Sequence, residues 1–207
     1  ALTGLWERFD PGELATPEAF RRDPALVWGW YEWRRMRVLQ SQPNPAHLAI
    51  ADLARHVPQL TLITQNVDDL HERAGSQDVI HLHGSLHRPR CFACAREPAE
   101  PLPAADEPEG GRRLEPPRCS HCGGRLRPGV ALSAAFQAAG ECDLLLSVGT
   151  SGVVYPAAEV PHRARDAGAT VVHINPQGEP TAGNREHLLA LPAGKALPEL
   201  LHEAFGA

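Results

Sequence analysis

Asp143-Leu144-Leu145-Leu146-Ser147-Val148, closed by Gly149-Thr150-Ser151, is the stretch that decides the fold. Its apolar run is continuous rather than alternating, which is the pattern of a strand covered on both faces in a parallel sheet. Parallel strands need crossover helices, and the flanking sequence supplies them. The spacing predicts a helix over 131–139 before this strand and another over 155–167 after it. Residues 170–174 then read as a strand ending in Asn175-Pro176-Gln177, and 197–205 as a closing helix. Upstream, 60–64 and 79–83 read as strands, with a helix over 67–74 between them closed by Gly75. Strands alternating with helices predict an α/β fold, a doubly wound and mostly parallel sheet.

Two segments stand outside that alternation. Residues 5–45 are helix-rich. Thr16-Pro17-Glu18 reads as an N-cap followed by Pro at the first helical position. Asp23-Pro24 opens a longer helix over 25–40 that carries Trp28, Trp30, Tyr31 and Trp33, and Pro43-Asn44-Pro45 breaks it. A short amphipathic helix follows over 47–56. The tryptophans are read as core. Residues 86–130 hold Cys91-x-x-Cys94 and Cys119-x-x-Cys122, with 24 residues between the pairs. Four thiolates in two chelating turns suit tetrahedral Zn²⁺ and leave no open position, so the metal is expected to brace structure and do no chemistry. A pair of redox dithiols is the competing reading. The spacer 96–118 is rich in Pro, Glu and Gly and is not expected to form a packed element of its own. The fifth cysteine, Cys142, reads as a small hydrophobe.

The chain of 207 residues is 43% hydrophobic, enough for one globular unit with a real core. A net charge of −5 argues against a general nucleic-acid binder. No apolar run reaches the length that spans a bilayer, and no secretory signal is visible. An odd cysteine count with four in metal-type pairs favours a reducing compartment and a metal over a disulfide scaffold, and a cytoplasmic location is expected because no targeting signal is seen. Lys195 is the only lysine.

His81 and His83 alternate along the strand read over 79–83 and so share a face. His83 sits at the strand's carboxyl end, where α/β sheets bind ligands. An imidazole titrating near neutrality suits a general base there; a hydrogen-bonded structural histidine is the alternative. Three other strand ends carry small or amide side chains: Gln65-Asn66-Val67-Asp68, Gly149-Thr150-Ser151 and Asn175-Pro176-Gln177. Such groups can bond sugar hydroxyls and carboxamides. No G-x-G-x-x-G follows a strand, so an ordinary dehydrogenase fingerprint is missing.

Taken in order, Thr64-Gln65-Asn66-Val67-Asp68, His81-Leu82-His83-Gly84-Ser85, the two cysteine pairs, Gly149-Thr150-Ser151 with Val154 and Pro156, and Ile174-Asn175-Pro176 resemble the motifs of sirtuins, NAD-dependent protein-lysine deacylases. The resemblance runs from about Leu5 to Leu200. It implies a Rossmann-like part over 46–85 and 131–207, a helical module over 5–45 and a zinc module over 86–130, all in one catalytic unit. It implies His83 as the catalytic base and Cys91, Cys94, Cys119 and Cys122 as ligands of one structural zinc. NAD would be the co-substrate. Gln65, Asn66 and Asp68 would contact its nicotinamide and ribose. Gly149, Thr150 and Ser151 would hold the phosphate and ribose region. Asn175, with Pro176 and Gln177, would meet the adenine ribose, and Ala196 would lie near the adenine. Val154 would lie beside an acyl-lysine strand bound by backbone pairing. The expected products are nicotinamide, acyl-ADP-ribose and free lysine.

Tyr31 and Arg34 are three apart on the predicted helix and share a face. In the sirtuin class that removes succinyl and malonyl groups, a Tyr-x-x-Arg pair in this region binds the acyl carboxylate, and the resemblance implies that role here. The family also carries a Gly-Ala-Gly-x-Ser loop and a Phe-Arg ahead of the region where this chain begins, and a Phe-Gly-Glu stretch after the second cysteine pair. Here Pro128-Gly129-Val130 runs directly into Ala131-Leu132. Both segments are ligand-ordered loops in the family, and the expectation is that the natural protein has them. A bonded Cα separation of about 3.8 Å between Val130 and Ala131 would contradict it. Acylated-lysine proteins or peptides are the expected partners, with no nucleic acid and no membrane. A silent NAD- or ADP-ribose-binding module and a mono-ADP-ribosyltransferase are the alternative functions.

Overall fold

The computed structural model describes residues 11–103, 112–128, 133–150, 152, 154–177 and 184–206. The helices are α1 (Pro11–Leu14), α2 (Pro17–Arg22), α3 (Pro24–Leu39), α4 (Pro45–Leu53), α5 (Leu70–Arg73), α6 (Ser133–Glu141), α7 (Glu159–Asp166) and α8 (Ala193–Phe205). The strands are β1 (Ile63–Thr64), β2 (Ile80–His81), β3 (Pro89–Cys91), β4 (Leu126–Pro128), β5 (Leu144–Val148), β6 (Thr170–Ile174) and β7 (Glu186–Leu189). The chain divides into two compact units. One comprises 1–42, 66–69 and 83–130, the other 43–65, 70–82 and 131–207. The junction of Val130 and Ala131 lies outside the described residues.

In the second unit β5, β6 and β7 form a parallel sheet in that order, and β1 pairs with β2 in parallel, Thr64 opposite His81. The continuous apolar run of β5 has the reason expected of it. Leu145 and Val171 pack with α6 and α7 around Ala135, Ala139, Ala164 and Leu82. The alternate residues Leu146, Val148, Val172 and Ile174 pack with α4 and α8 around Ala49, Leu197 and Leu201. The sheet is therefore covered on both faces by helices. Ala135 and Ala164 are fully buried, and residues this small let α6 and α7 approach the strands closely. Leu144, at the start of β5, is 55% exposed, so double coverage begins one residue later.

Several boundaries differ from expectation. The strand expected over 79–83 ends at His81, and Leu82 and His83 form a turn. Leu82 is pulled into the core at 2% exposure and Gly84 takes φ +81°, so the chain leaves the sheet early. The alternation that would put His81 and His83 on one face does not extend to His83. The strand β7 was not foreseen. The closing helix starts at Ala193, four residues early, because the N–H groups of Lys195 and Ala196 both reach the Pro192 carbonyl ahead of Pro198.

In the first unit the helical and zinc segments, expected as separate modules, pack as one body. Thr16 caps α2 and Asp23 caps α3, each accepting from a backbone N–H at 3.1 Å, and each helix begins with proline. Phe20, Val27, Trp30, Tyr31 and Leu86 form one core, and Trp28 packs on Leu126, Cys91 and Cys119 in another. Among its described residues the spacer between the cysteine pairs has no helix or paired strand of its own, and its described ends are strapped to α3. Arg113 grips Asp23 at 2.6 Å, the Leu114 N–H donates to the Ala25 carbonyl, and buried Arg35 donates to the Pro103 carbonyl at 2.7 Å while forking onto buried Glu32. Among the described residues no helix is long and apolar enough to cross a membrane.

Removing one partner of a buried ion pair strands the other. Arg35→Met should lower stability by about 3–5 kcal/mol in urea denaturation, and the double change Glu32→Leu with Arg35→Met should recover much of that loss.

Candidate active site

Thr150 is the junction of three strand ends in the sheet unit. Gln65, just past β1, donates from Nε2 to the Thr150 hydroxyl at 3.0 Å. Asn175, just past β6, donates from Nδ2 to the Thr150 carbonyl at 3.0 Å. The Gly149 N–H donates to the Ile174 carbonyl, and Gly149 turns at φ +61°, a conformation that suits glycine. The Gln177 N–H returns to the Asn175 side-chain oxygen at 3.1 Å. Amides and a hydroxyl thus gather at the carboxyl edge of parallel strands, where a ligand with many hydroxyls finds both donors and acceptors. Pro176 and Gln177 are exposed there, and Ser151 lies outside the described residues. Val154 is 49% exposed in the turn before α7. Ala196 is buried against Ile174 and Leu197, so its methyl packs the core.

The remaining site residues belong to the first unit. The Leu86 N–H donates to the Val67 carbonyl at 2.8 Å, which holds the turn of Asn66 and Asp68 alongside the turn that begins at His83. His83 is half-buried, and among the described residues its ring has no hydrogen bond or ion pair. The neighbouring histidines are committed: His81 meets Glu72 at 2.8 Å and His87 lies 3.5 Å from Asp69. The structural role therefore falls to His81, and both ring nitrogens of His83 stay available for proton transfer.

Tyr31 is buried and Arg34 half-buried on α3. The Arg34 guanidinium lies over the Trp30 ring at 4.7 Å from its centroid. Burial lowers its pKa, while Tyr31 and Asp68 act to keep it charged. Asp68, singled out in the sequence for nucleotide contact, is thus also an electrostatic neighbour of Arg34. Burial likewise raises the Tyr31 phenol, opposed by Arg127 and Arg34. Arg127 carried no signal in the sequence, because nothing local marks a ribbon arginine as the neighbour of a distant helix.

The four cysteine sulfurs lie within 4.8 Å of one another and form no disulfide. Cys91 and Cys122 are 3.5 Å apart, Cys94 and Cys119 3.8 Å. Zn–S bonds of about 2.3 Å in a tetrahedron put sulfurs about 3.8 Å apart, so the set fits zinc. Two matching turns deliver it, the Ala95 N–H to the Cys91 carbonyl and the Gly123 N–H to the Cys119 carbonyl, with Ala95 and Gly123 both at positive φ. A Cβ at Gly124 would come within 2.9 Å of the Cys91 sulfur, so only glycine fits there. Burial pushes the Cys91 thiol up, but backbone N–H groups of Cys94 and Ala93 and the facing thiols bring it down to about 7. Four protein ligands leave no position for substrate, so the site braces the fold. One zinc per chain is expected by metal analysis, and Cys91→Ala should abolish it and lower the melting temperature.

Comparison with known proteins agrees with this geometry. Residues 1–156 match the Sir2 family profile. The chain is 63% identical to NAD-dependent protein deacylase 1 of Pseudomonas aeruginosa, over 99% of this chain and 86% of that one. It is 57% identical to an NAD-dependent protein deacylase of Methylococcus capsulatus, over 97% and 83%. Among solved structures it resembles a Sir2 homolog–NAD complex with TM-score 0.81 at 40% identity, covering 98% of this chain and 82% of that one. It also resembles Sir2Tm bound to a propionylated peptide, TM-score 0.73 at 25% identity, covering 95% and 85%. With its sheet doubly covered, its strand ends gathered on Thr150 and its tetrathiolate intact, the chain belongs to the Sir2 family.

Proposed function

We propose that this protein removes acyl groups from protein lysine side chains at the expense of NAD, and that it favours succinyl and malonyl over acetyl. NAD-dependent deacylation is supported by membership of the Sir2 family and by the deacylase relatives. The acyl preference is supported by one observation: Tyr31 is buried and Arg34 half-buried on the same helix, one turn apart, and Arg34 has no ion pair among the described residues.

NAD would supply an anomeric carbon to which the acyl oxygen bonds as nicotinamide leaves, and a water molecule would complete the release of free lysine and acyl-ADP-ribose. The chain's own residues hold, orient and move protons. Gln65 and Asn175, each bonded to Thr150, present donors and acceptors to sugar hydroxyls, with Gly149 beside them and Pro176 and Gln177 at the rim; Ser151 follows Thr150 in the sequence and is assigned to the same phosphate and ribose region. Asn66 and Asp68 serve the nicotinamide side. His83 takes a proton from a ribose hydroxyl, which requires an uncharged imidazole near neutral pH. The exposed turn at Val154 offers backbone to an extended substrate peptide.

For the acyl group, the planar fork of Arg34 meets a carboxylate with two parallel hydrogen bonds. The Trp30 ring, 4.7 Å from the guanidinium, limits the freedom of that fork, and partial burial strengthens the pairing. An acetyl group has no carboxylate and leaves the fork unsatisfied, which is how a polar site discriminates.

A full assay uses NAD with matched succinyl- and acetyl-lysine peptides. Nicotinamide with free lysine means deacylation; labelled protein means ADP-ribosyl transfer; no turnover with nucleotide binding retained means a silent module. Arg34→Met should reduce kcat/KM for the succinyl peptide by about 10- to 100-fold, the worth of a charged hydrogen-bonded pair, and leave the acetyl peptide nearly unchanged. Equal losses would refute the acyl assignment. His83→Ala should abolish turnover of both peptides while zinc content and melting temperature stay as they are.

A further inference from the structure

The first unit holds a cleft of about 270 Å³ between α2 and the zinc ribbon, and none of its lining residues is assigned to NAD, lysine or the acyl group. Phe92 and Pro24 give it an apolar side, with buried Phe20 edge to face against Phe92 at 5.2 Å. Arg21, Arg118 and Arg125 give it a cationic side, and none of its lining residues is acidic. The Arg21 guanidinium lies over the Phe92 ring at 5.2 Å from its centroid. Arg127, not itself in the lining, lies 5.4 Å from the Phe92 centroid and 5.9 Å from that of Phe20 and adds a further positive charge nearby.

The protein itself matches these arginines poorly. Arg118 and Arg125 stand directly opposite each other across a β-bridge, where like charges repel. The Nε of Arg125 is buried and has no hydrogen bond among the described residues; Glu115, 70% exposed, stands 3.8 Å from it. Arg118 donates once, to the Gly123 carbonyl at 3.3 Å. Arg21 meets Glu18 at 2.9 Å in an exposed pair, which contributes little. A buried donor without an acceptor is costly, and a ligand that supplies the acceptor removes the cost.

We infer that this cleft binds a phosphate monoester carried on an apolar stem. Arginine only donates, so the missing partner must be an acceptor, and an anionic one also relieves the facing charges of Arg118 and Arg125. A carboxylate brings two oxygens and one charge. A phosphate monoester brings three acceptor oxygens and nearly two charges at neutral pH, which suits three guanidinium forks better. Phe92 and Pro24 favour a group with an organic stem over free phosphate, because inorganic phosphate has no apolar surface to bury against them. The zinc tetrathiolate is itself negative and draws arginines to the ribbon, but it neither satisfies the Arg125 donor nor fills the apolar side. A small aryl phosphate and a phosphorylated side chain of another protein both present the required chemistry.

The test titrates phenyl phosphate, inorganic phosphate and benzoate calorimetrically into zinc-loaded protein saturated with ADP-ribose, which keeps a nucleotide site filled. Phenyl phosphate is expected to bind once per chain, about 10-fold tighter than either of the others. Arg125→Gln and Arg21→Gln should each weaken it about 10-fold, as for the loss of a hydrogen bond between charged groups. Arg37→Gln, an exposed arginine elsewhere on α3, should leave it unchanged. A phosphotyrosine peptide that binds as tightly as phenyl phosphate assigns the site to a protein side chain; binding of phenyl phosphate without the peptide assigns it to a small molecule. The proposal is overturned if phenyl phosphate shows no saturable binding up to about 10 mM, if benzoate binds equally well, or if Arg37→Gln costs as much as Arg125→Gln. Should Arg125→Gln lose its zinc, Arg21→Gln on α2 decides, and unchanged binding there also overturns it. Loss of zinc on substitution of Arg118 or Arg125, with no phenyl phosphate bound by the unaltered protein, would mean that these arginines serve the tetrathiolate alone.

Discussion

Four sulfurs within 4.8 Å of one another need a cation between them. As thiolates they repel, and as thiols they make only weak hydrogen bonds. Their proton affinities already diverge, Cys91 drawn down to about 7 and Cys122 pushed up to about 12. Zinc resolves the conflict by replacing protons with one divalent charge. One of the two cores of the first unit is assembled around that closure. The ribbon of β3 and β4 is short, its core partner Trp28 is on α3, and the spacer between the cysteine pairs returns to α3 through Asp23, Ala25 and Arg35. The helix that carries Tyr31 and Arg34 is therefore fixed by the metal ribbon on one side and by its own aromatic core on the other.

The sheet unit solves a different problem. A parallel sheet must be covered on both faces, and alanines in α4, α6, α7 and α8 allow the helices to do so at close range. The strand ends then emerge together, and their backbone groups need partners. Gln65, Gly149, Thr150 and Asn175 provide them for one another. The side chains that satisfy the edge of the sheet are the same ones that would greet a nucleotide.

The histidines illustrate how burial sorts roles among similar residues. His81 and His83 differ by two positions, yet His81 is bound to Glu72, whereas among the described residues His83 has no such partner. Alternation along a strand would have treated them alike. The turn at Leu82, anchored in the core, breaks the alternation and gives each imidazole its own surroundings.

The sequence by itself determined the elements whose signals are local. The apolar run before Gly149 meant a doubly covered strand, the spacing of four cysteines meant a closed metal site, and capped prolines marked where α2 and α3 begin. Motif order was enough to indicate the family. Only the tertiary structure decided what depends on residues distant in the chain: that the helical and zinc segments form one body, that the described ends of the spacer are strapped to α3, and that Arg127 lies over the rings of Phe20 and Phe92. The reason is physical. Periodicity and capping act within a few residues and leave a trace in composition. The setting of a guanidinium over rings on other elements is fixed by packing, which no local pattern encodes.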